Sequence, residues 1–200
     1  MSFKENVKQL ENCLKMEQFN VENIVKDLRL KDKPEDELVV KFENGCELKY
    51  GNELTPTQVQ NCPITIDWNA DPDTLYTLAF IDPDAPSRAD PKIGECVHWL
   101  VVNIPGKNIS QGEEYTEYIG SGAPKDTGLH RYIYLIFKQV SKLTLNRPKA
   151  SKFSRKGRLN FKIHDFIEEY SLIGPIAGNF YQAQFDDYVP LLHAQLARDD

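Results

Sequence analysis

The chain has 200 residues, enough for one domain with a sizeable core, and its 40% hydrophobic and 27% charged content is that of an ordinary soluble globular protein. A net charge of −6 argues against a surface built as a whole for nucleic acid, and no stretch approaches the roughly 20 apolar residues that span a bilayer. Met1 to Glu5 lacks the basic start and apolar run of a secretory signal, and Cys13, Cys46, Cys62 and Cys96 form no Cys-x-x-Cys pair, so a cytoplasmic protein with reduced cysteines is expected.

The first 36 residues read as a helical extension and linker, with residues 37–200 as the main domain. Val7, Leu10 and Leu14 fall on one helical stripe beside Cys13, and Asn20, with Asn23 three residues on, is expected to cap a second short helix carrying Ile24, Val25 and Leu28. Charged residues around Pro34 mark the linker. From Leu38 the pattern turns to period two, and Asn44-Gly45 predicts a hairpin between 38–42 and 46–50. Strands follow at 64–68 and 75–81, the second rich in β-branched and aromatic residues. Residues 97–104 and 132–138 are apolar on both faces and belong inside a sheet covered on both sides.

From Lys138 to Lys162 inclusive the chain carries nine basic residues and no acidic one, which reads more readily as a solvated, mobile loop than as a binding patch. Ile163, Phe166, Ile167 and Tyr170 then take helical spacing, and Gly174-Pro175 is expected to end that helix. A strand near 180–185 and a last helix with Pro190 in its first turn complete the chain. The fold class is therefore mainly β, a sandwich-like domain with peripheral helices.

Asp82 to Arg88 stands out. Pro83 and Pro86 remove two backbone donors and stop the strand. Asp82 shares a face with Phe80, Leu78 and Tyr76, which places a carboxylate at the lip of an apolar surface. Read alone, the segment is equally a turn whose Asp and Ser side chains cap their own backbone. A second loop, Gly120 to Gly128, feeds directly into another apolar strand. His130 and Tyr132 share one face of that strand, and the glycines permit close backbone approach to an anion. His98 lies within an apolar strand on the face of Cys96, Leu100 and Val102, where a lone histidine bonded to a carbonyl would be unremarkable.

Together, Asp82–Arg88 followed by His98, and Gly120–Gly122, Pro124 and Gly128–Tyr132, resemble the two signature regions of the phosphatidylethanolamine-binding protein family, which includes kinase inhibitors and flowering regulators. The resemblance runs from about Glu37 to Leu196. It implies a large antiparallel sheet packed on a smaller one, and a small surface pocket for phosphoanions or phospholipid headgroups formed by Asp82, Pro86, His98, Gly122, Pro124, His130, Tyr132 and, at the rim, His193. It also implies cis peptide bonds at Ala85-Pro86 and Gly94-Glu95. The chain departs from the family at Cys96, where a pocket-wall Trp is common, at Ala123 in place of a proline, and at His193 in place of a rim Tyr. The expected role is a non-enzymatic, monomeric binding protein without cofactor, regulating kinases or proteases and touching membranes weakly or not at all. Two alternatives use the same residues: a hydrolase built on Asp82, His98 and His130 with Ser87 nearby, or zinc held by His98, His130 and His193.

Overall fold

The structure, a computed structural model, describes residues 3–199. In chain order its elements are α1 (Phe3–Val21), α2 (Ile24–Asp27), β1 (Asp36–Glu37), β2 (Val39–Lys41), β3 (Asn52–Glu53), β4 (Thr65–Asp67), β5 (Leu75–Asp82), β6 (Cys96–Pro105), β7 (Glu113–Thr116), β8 (His130–Lys138), α3 (Ile163–Glu169), β9 (Ile173–Ala183) and α4 (Val189–Leu196), with a 3₁₀ turn at Ile109–Gln111.

Seven strands make the large sheet, in the order β1-β9-β8-β5-β6-β7 with β3 also on β9, and β2 and β4 make the small one. The central pairings are antiparallel, as expected, but the two-residue strands β1 and β3 both run parallel to β9, so the large sheet is mixed. The predicted hairpin survives only in part. Phe42 N–H donates to Cys46 O across the Gly45 turn, while 46–50 forms no strand and β2 pairs instead with β4.

Period-two alternation decides what each face of the central sheet buries. Ala79, Ile81, Ile133, Leu135 and Phe137 pack with Phe19, Ile24, Leu28, Ile163 and Phe166, beneath the helices. Tyr76, Leu78, Phe80, Tyr132, Tyr134 and Ile136 pack with Val40, Phe42 and Trp68 of the small-sheet layer. Both faces are thus covered, which is why β5, β6 and β8 are buried along nearly their whole length.

Three local expectations are corrected. The stripe of Val7, Leu10 and Leu14 faces outward, with Leu10 62% exposed, because α1 seats the opposite face through Met16 and Phe19. Asn20 lies inside α1 and bonds Glu17, whereas Asn23 caps α2 by position without a side-chain bond. Gly174-Pro175 does not end a helix; α3 stops at Glu169 and the pair lies inside β9. Ala85-Pro86, Gly94-Glu95 and Gly174-Pro175 are all cis. Among the described residues no helix is long and apolar enough to cross a membrane.

Candidate functional site

At one end of the large sheet, where β5 stops and β6 and β8 begin, the strand ends, the 120–128 loop, the 155–159 loop and α4 enclose a cavity of about 160 Å³. Asp82, Pro86, His98, Gly122, Pro124, His130 and His193 all line it. Tyr132 does not. It is fully buried behind the wall, where its hydroxyl accepts the Gly122 N–H at 3.2 Å. The remaining lining is largely aliphatic: Ala85, Ile93, Ile119, Leu159, Leu192 and Leu196, with Cys96 among them.

Adjacent strand ends bring Asp82 and His130 together, both almost wholly buried, with His130 Nδ1 donating to Asp82 Oδ2 at 2.9 Å. The other Asp82 oxygen accepts the Asp84 N–H at 2.7 Å. Thr127 Oγ1 gives its single proton to the Pro124 carbonyl at 2.7 Å, so His130 Nε2, 3.1 Å from the same hydroxyl, acts as a donor there. Donating from both nitrogens holds the ring toward the imidazolium form. Burial alone would lower the His130 pKa; the hydrogen bond and charge of Asp82, with Asp84 behind it, override this and hold it above the usual histidine value.

His98 is the opposite case. Phe80 pairs with Trp99 and Ile81 with Val97, so His98 is the extra residue of a β-bulge. The bulge breaks the alternation and turns His98 onto the Phe80 and Tyr132 rings, not toward Leu100 and Val102 as strict period two predicts. Its Nδ1 donates to the carbonyl of Gly120 at 2.9 Å, and burial pushes its pKa down to about 4. The ring is neutral, with an unprotonated Nε2.

Within the glycine loop, Gly122 does not offer the free donor expected of it. Gly122 spends its N–H on Tyr132 and its carbonyl accepts His193 Nε2–H at 2.9 Å, which ties α4 to the loop. Positive charge comes instead from two residues the sequence reading left in the solvated basic stretch, Arg155 and Arg158. Arg155 lines the cavity and donates to the His193 carbonyl at 3.1 Å. Arg158 is 1% exposed, and its N–H groups donate to the carbonyls of Ser154, Val97, His98, Glu117 and Ser151. None of these acceptors is a carboxylate, so the guanidinium charge beside the cavity stays uncompensated by a hydrogen-bonded anion, and burial lowers its pKa to about 10. No motif in the sequence separates Arg158 from its wet neighbours. The nearest signal is Gly157, which takes φ +77° just before it.

The alternative chemistries can be placed. Among the described residues no cluster of three or more His, Cys, Asp or Glu side chains is arranged to hold a metal ion. Ser87 Oγ accepts the Asp90 N–H at 3.2 Å and is not among the residues lining the cavity.

One residue along β8, the alternation sends Arg131 to the other side of the sheet, where Asp84 of the turn after β5 meets it. Arg131 forks onto both oxygens of Asp84, with 2.9 Å from Nε to Oδ2, and reaches Asp27 at 2.8 Å and the Glu22 carbonyl. This buried network fastens the end of α1 and α2 behind the site.

The family profile described as phosphatidylethanolamine-binding protein matches residues 39–181. "Putative odorant-binding protein A5" of Drosophila melanogaster is 38% identical over 188 residues, covering 90% of this chain and 89% of its own. The solution structure of CG7054 is 47% identical, covers 82% of this chain and 93% of its own, and superposes with a TM-score of 0.67. Carboxypeptidase Y inhibitor, solved in complex with its cognate proteinase, is 24% identical and shares the fold at a TM-score of 0.71, covering 88% of this chain and 97% of its own. The chain belongs to the phosphatidylethanolamine-binding protein family.

Proposed function

We propose that the protein is a non-enzymatic binding module whose cavity takes a small phosphoanion or a phospholipid headgroup. The observation that carries this reading is the convergence of a buried imidazolium, His130, with the buried guanidinium of Arg158 on one small, mostly apolar cavity. Their N–H groups are spent within the protein, so they act on an anion through charge alone, which is stronger where water is scarce than at an exposed site. A catalytic reading fits less well. Asp82, His130 and Thr127 follow the order of an acid–base–nucleophile triad, but the Thr127 proton goes to Pro124 and an imidazolium cannot accept it. Titration with phosphoethanolamine and inorganic phosphate, followed by NMR at the histidines, tests the reading: binding should shift His130 and His98, and no response to either compound at millimolar concentration would reject it.

A regulatory role in which the surface engages a protease is supported by the proteinase complex of carboxypeptidase Y inhibitor. The cysteines, none of them disulfide-bonded among the described residues, fit action in the cytoplasm. Co-sedimentation or pull-down with a candidate protease, with and without phosphoanion, checks whether the cavity and the surface communicate.

A further inference from the structure

A second cavity, of about 430 Å³, lies on the Arg131 side of the large sheet, between α2, the turn after β5 and the start of α3. The phosphoanion reading makes no use of it. Glu95 lines this cavity and is only 6% exposed. Its Oε2 accepts the Ile163 N–H at 2.8 Å; among the described residues Oε1 accepts no hydrogen bond, and the carboxylate has no ion-pair partner.

The other charged groups of the lining divide into closed and open ones. Arg131 uses Nε and both amino groups on Asp84, Asp27 and the Glu22 carbonyl, and Asp84 has both oxygens on Arg131. That network is closed. Arg88 gives one amino group to Glu22 at 3.1 Å and keeps its other N–H groups. Lys162 gives one proton to the Gly94 carbonyl and keeps two. Lys26, exposed on α2, makes no hydrogen bond or ion pair among the described residues. The cavity thus combines open cationic N–H groups at exposed positions with one open carboxylate oxygen at a buried one.

The buried group decides the chemistry of the ligand. Exposed ammonium and guanidinium groups already hold water, so an anion gains little by replacing it, whereas a buried carboxylate without a cation carries the full penalty of its burial. That penalty holds the Glu95 pKa up at about 7, with Asp165 adding to it and Lys162 and Arg29 opposing it. A ligand that brings an ammonium group to Oε1 removes the penalty. A bare cation, however, also meets Lys26, Arg88, Arg131 and Lys162, against which stand Asp27, Asp84 and Glu95. An anionic group on the same ligand turns this repulsion into attraction.

We propose that the second cavity binds a small zwitterion of the α-amino acid type, its ammonium on Glu95 and its carboxylate on Lys26, Arg88 and Lys162. The ammonium needs an ionised Glu95, so binding displaces the proton that the empty site holds there at mildly acidic pH.

Titration of the full chain with L-alanine, ethylamine and propionate, followed by calorimetry and by the Ile163 amide shift in NMR, tests this. L-Alanine should bind about tenfold or more tightly than either of the others, which each lack one of its charges. Its affinity should rise at least about fivefold from about pH 5.5 to about pH 7.5, as Glu95 ionises. Glu95→Gln, which keeps an acceptor for the Ile163 N–H, should lower alanine affinity to that of propionate and abolish the pH dependence; the histidines of the first cavity titrate in both proteins and cancel. Lys26→Gln combined with Arg88→Gln, both at exposed positions, should lower alanine affinity to that of ethylamine. Propionate or ethylamine binding as tightly as alanine, alanine affinity equal at the two pH values, or alanine affinity that survives either variant would overturn the inference. So would the lack of any Ile163 shift with alanine at about 10 mM. None of these outcomes bears on the phosphoanion reading, because the two cavities share no lining residue.

Discussion

His130 and Asp82 form a buried ion pair, Nδ1 to Oδ2 at 2.9 Å, whose imidazole is held at its other nitrogen by Thr127. Because the folded pKa of His130 is raised above about 6.5, the pair's contribution to stability is fully present below that pH and is lost as pH rises through the folded value. Asp82→Asn should therefore drop the His130 pKa below that of a free histidine, since burial would no longer be opposed. Nitrogen-15 shifts of the ring, followed against pH, report this directly. A wild-type His130 that titrates below 6.5 would contradict the imidazolium assignment.

Removing the ring altogether tests binding. His130→Ala should weaken inorganic phosphate binding by about ten- to a hundredfold, the worth of one charge-assisted interaction. Circular dichroism should show a folded protein, because the large sheet is anchored well beyond this strand end. Unchanged affinity in the folded variant would remove His130 from the site.

These residues were legible in the sequence to different degrees, for physical reasons. Asp82, His130 and Tyr132 lie on regular strands, where period two assigns faces reliably. The same rule misassigned His98, because a bulge leaves no mark in composition and shifts the face of everything beyond it. Tyr132 does share the face of His130, but the resemblance placed it in the cavity, and its hydroxyl stops short of that at the Gly122 N–H. Arg158 was hidden for a different reason: a basic run looks solvated unless one knows that five carbonyls from three segments converge on one of its members. The parallel edge strands β1 and β3 are two residues each, too short to carry any periodic signal.

Behind the site, Arg131 and Asp84 are each about 2% exposed, whereas Asp27, which meets the same guanidinium, is 39% exposed. Arg131→Ala leaves a buried carboxylate without its partner and should cost about 3 to 5 kcal/mol in urea unfolding. Asp27→Asn removes a partner that water can replace and should cost less than about 1 kcal/mol. Similar losses for the two variants would mean that α2, not Asp84, depends most on this arginine.

Glu95 supplies a pH test independent of the ligand. Its side chain is 6% exposed, and Oε2 accepts the Ile163 N–H at 2.8 Å at the start of α3. Burial pushes its pKa up to about 7, outweighing the Ile163 N–H and the nearby Lys162 and Arg29 charges, with Asp165 adding to the rise. Between about pH 4.5 and 7 the folded state therefore binds more protons than the unfolded chain, and this residue makes stability fall as pH rises through that window. His98, depressed to about 4, acts in the other direction between about pH 4 and 6.5, which masks the effect in wild type but cancels from a comparison of variants. Glu95→Gln keeps an oxygen for the Ile163 N–H and removes the charge. It should match wild type near pH 4.5 and be more stable above pH 7, by on the order of 3 kcal/mol at most. Urea unfolding of both proteins at pH 5 and pH 8 measures the difference. A gap that does not widen with pH would show that Glu95 ionises in the folded protein as readily as in the unfolded chain.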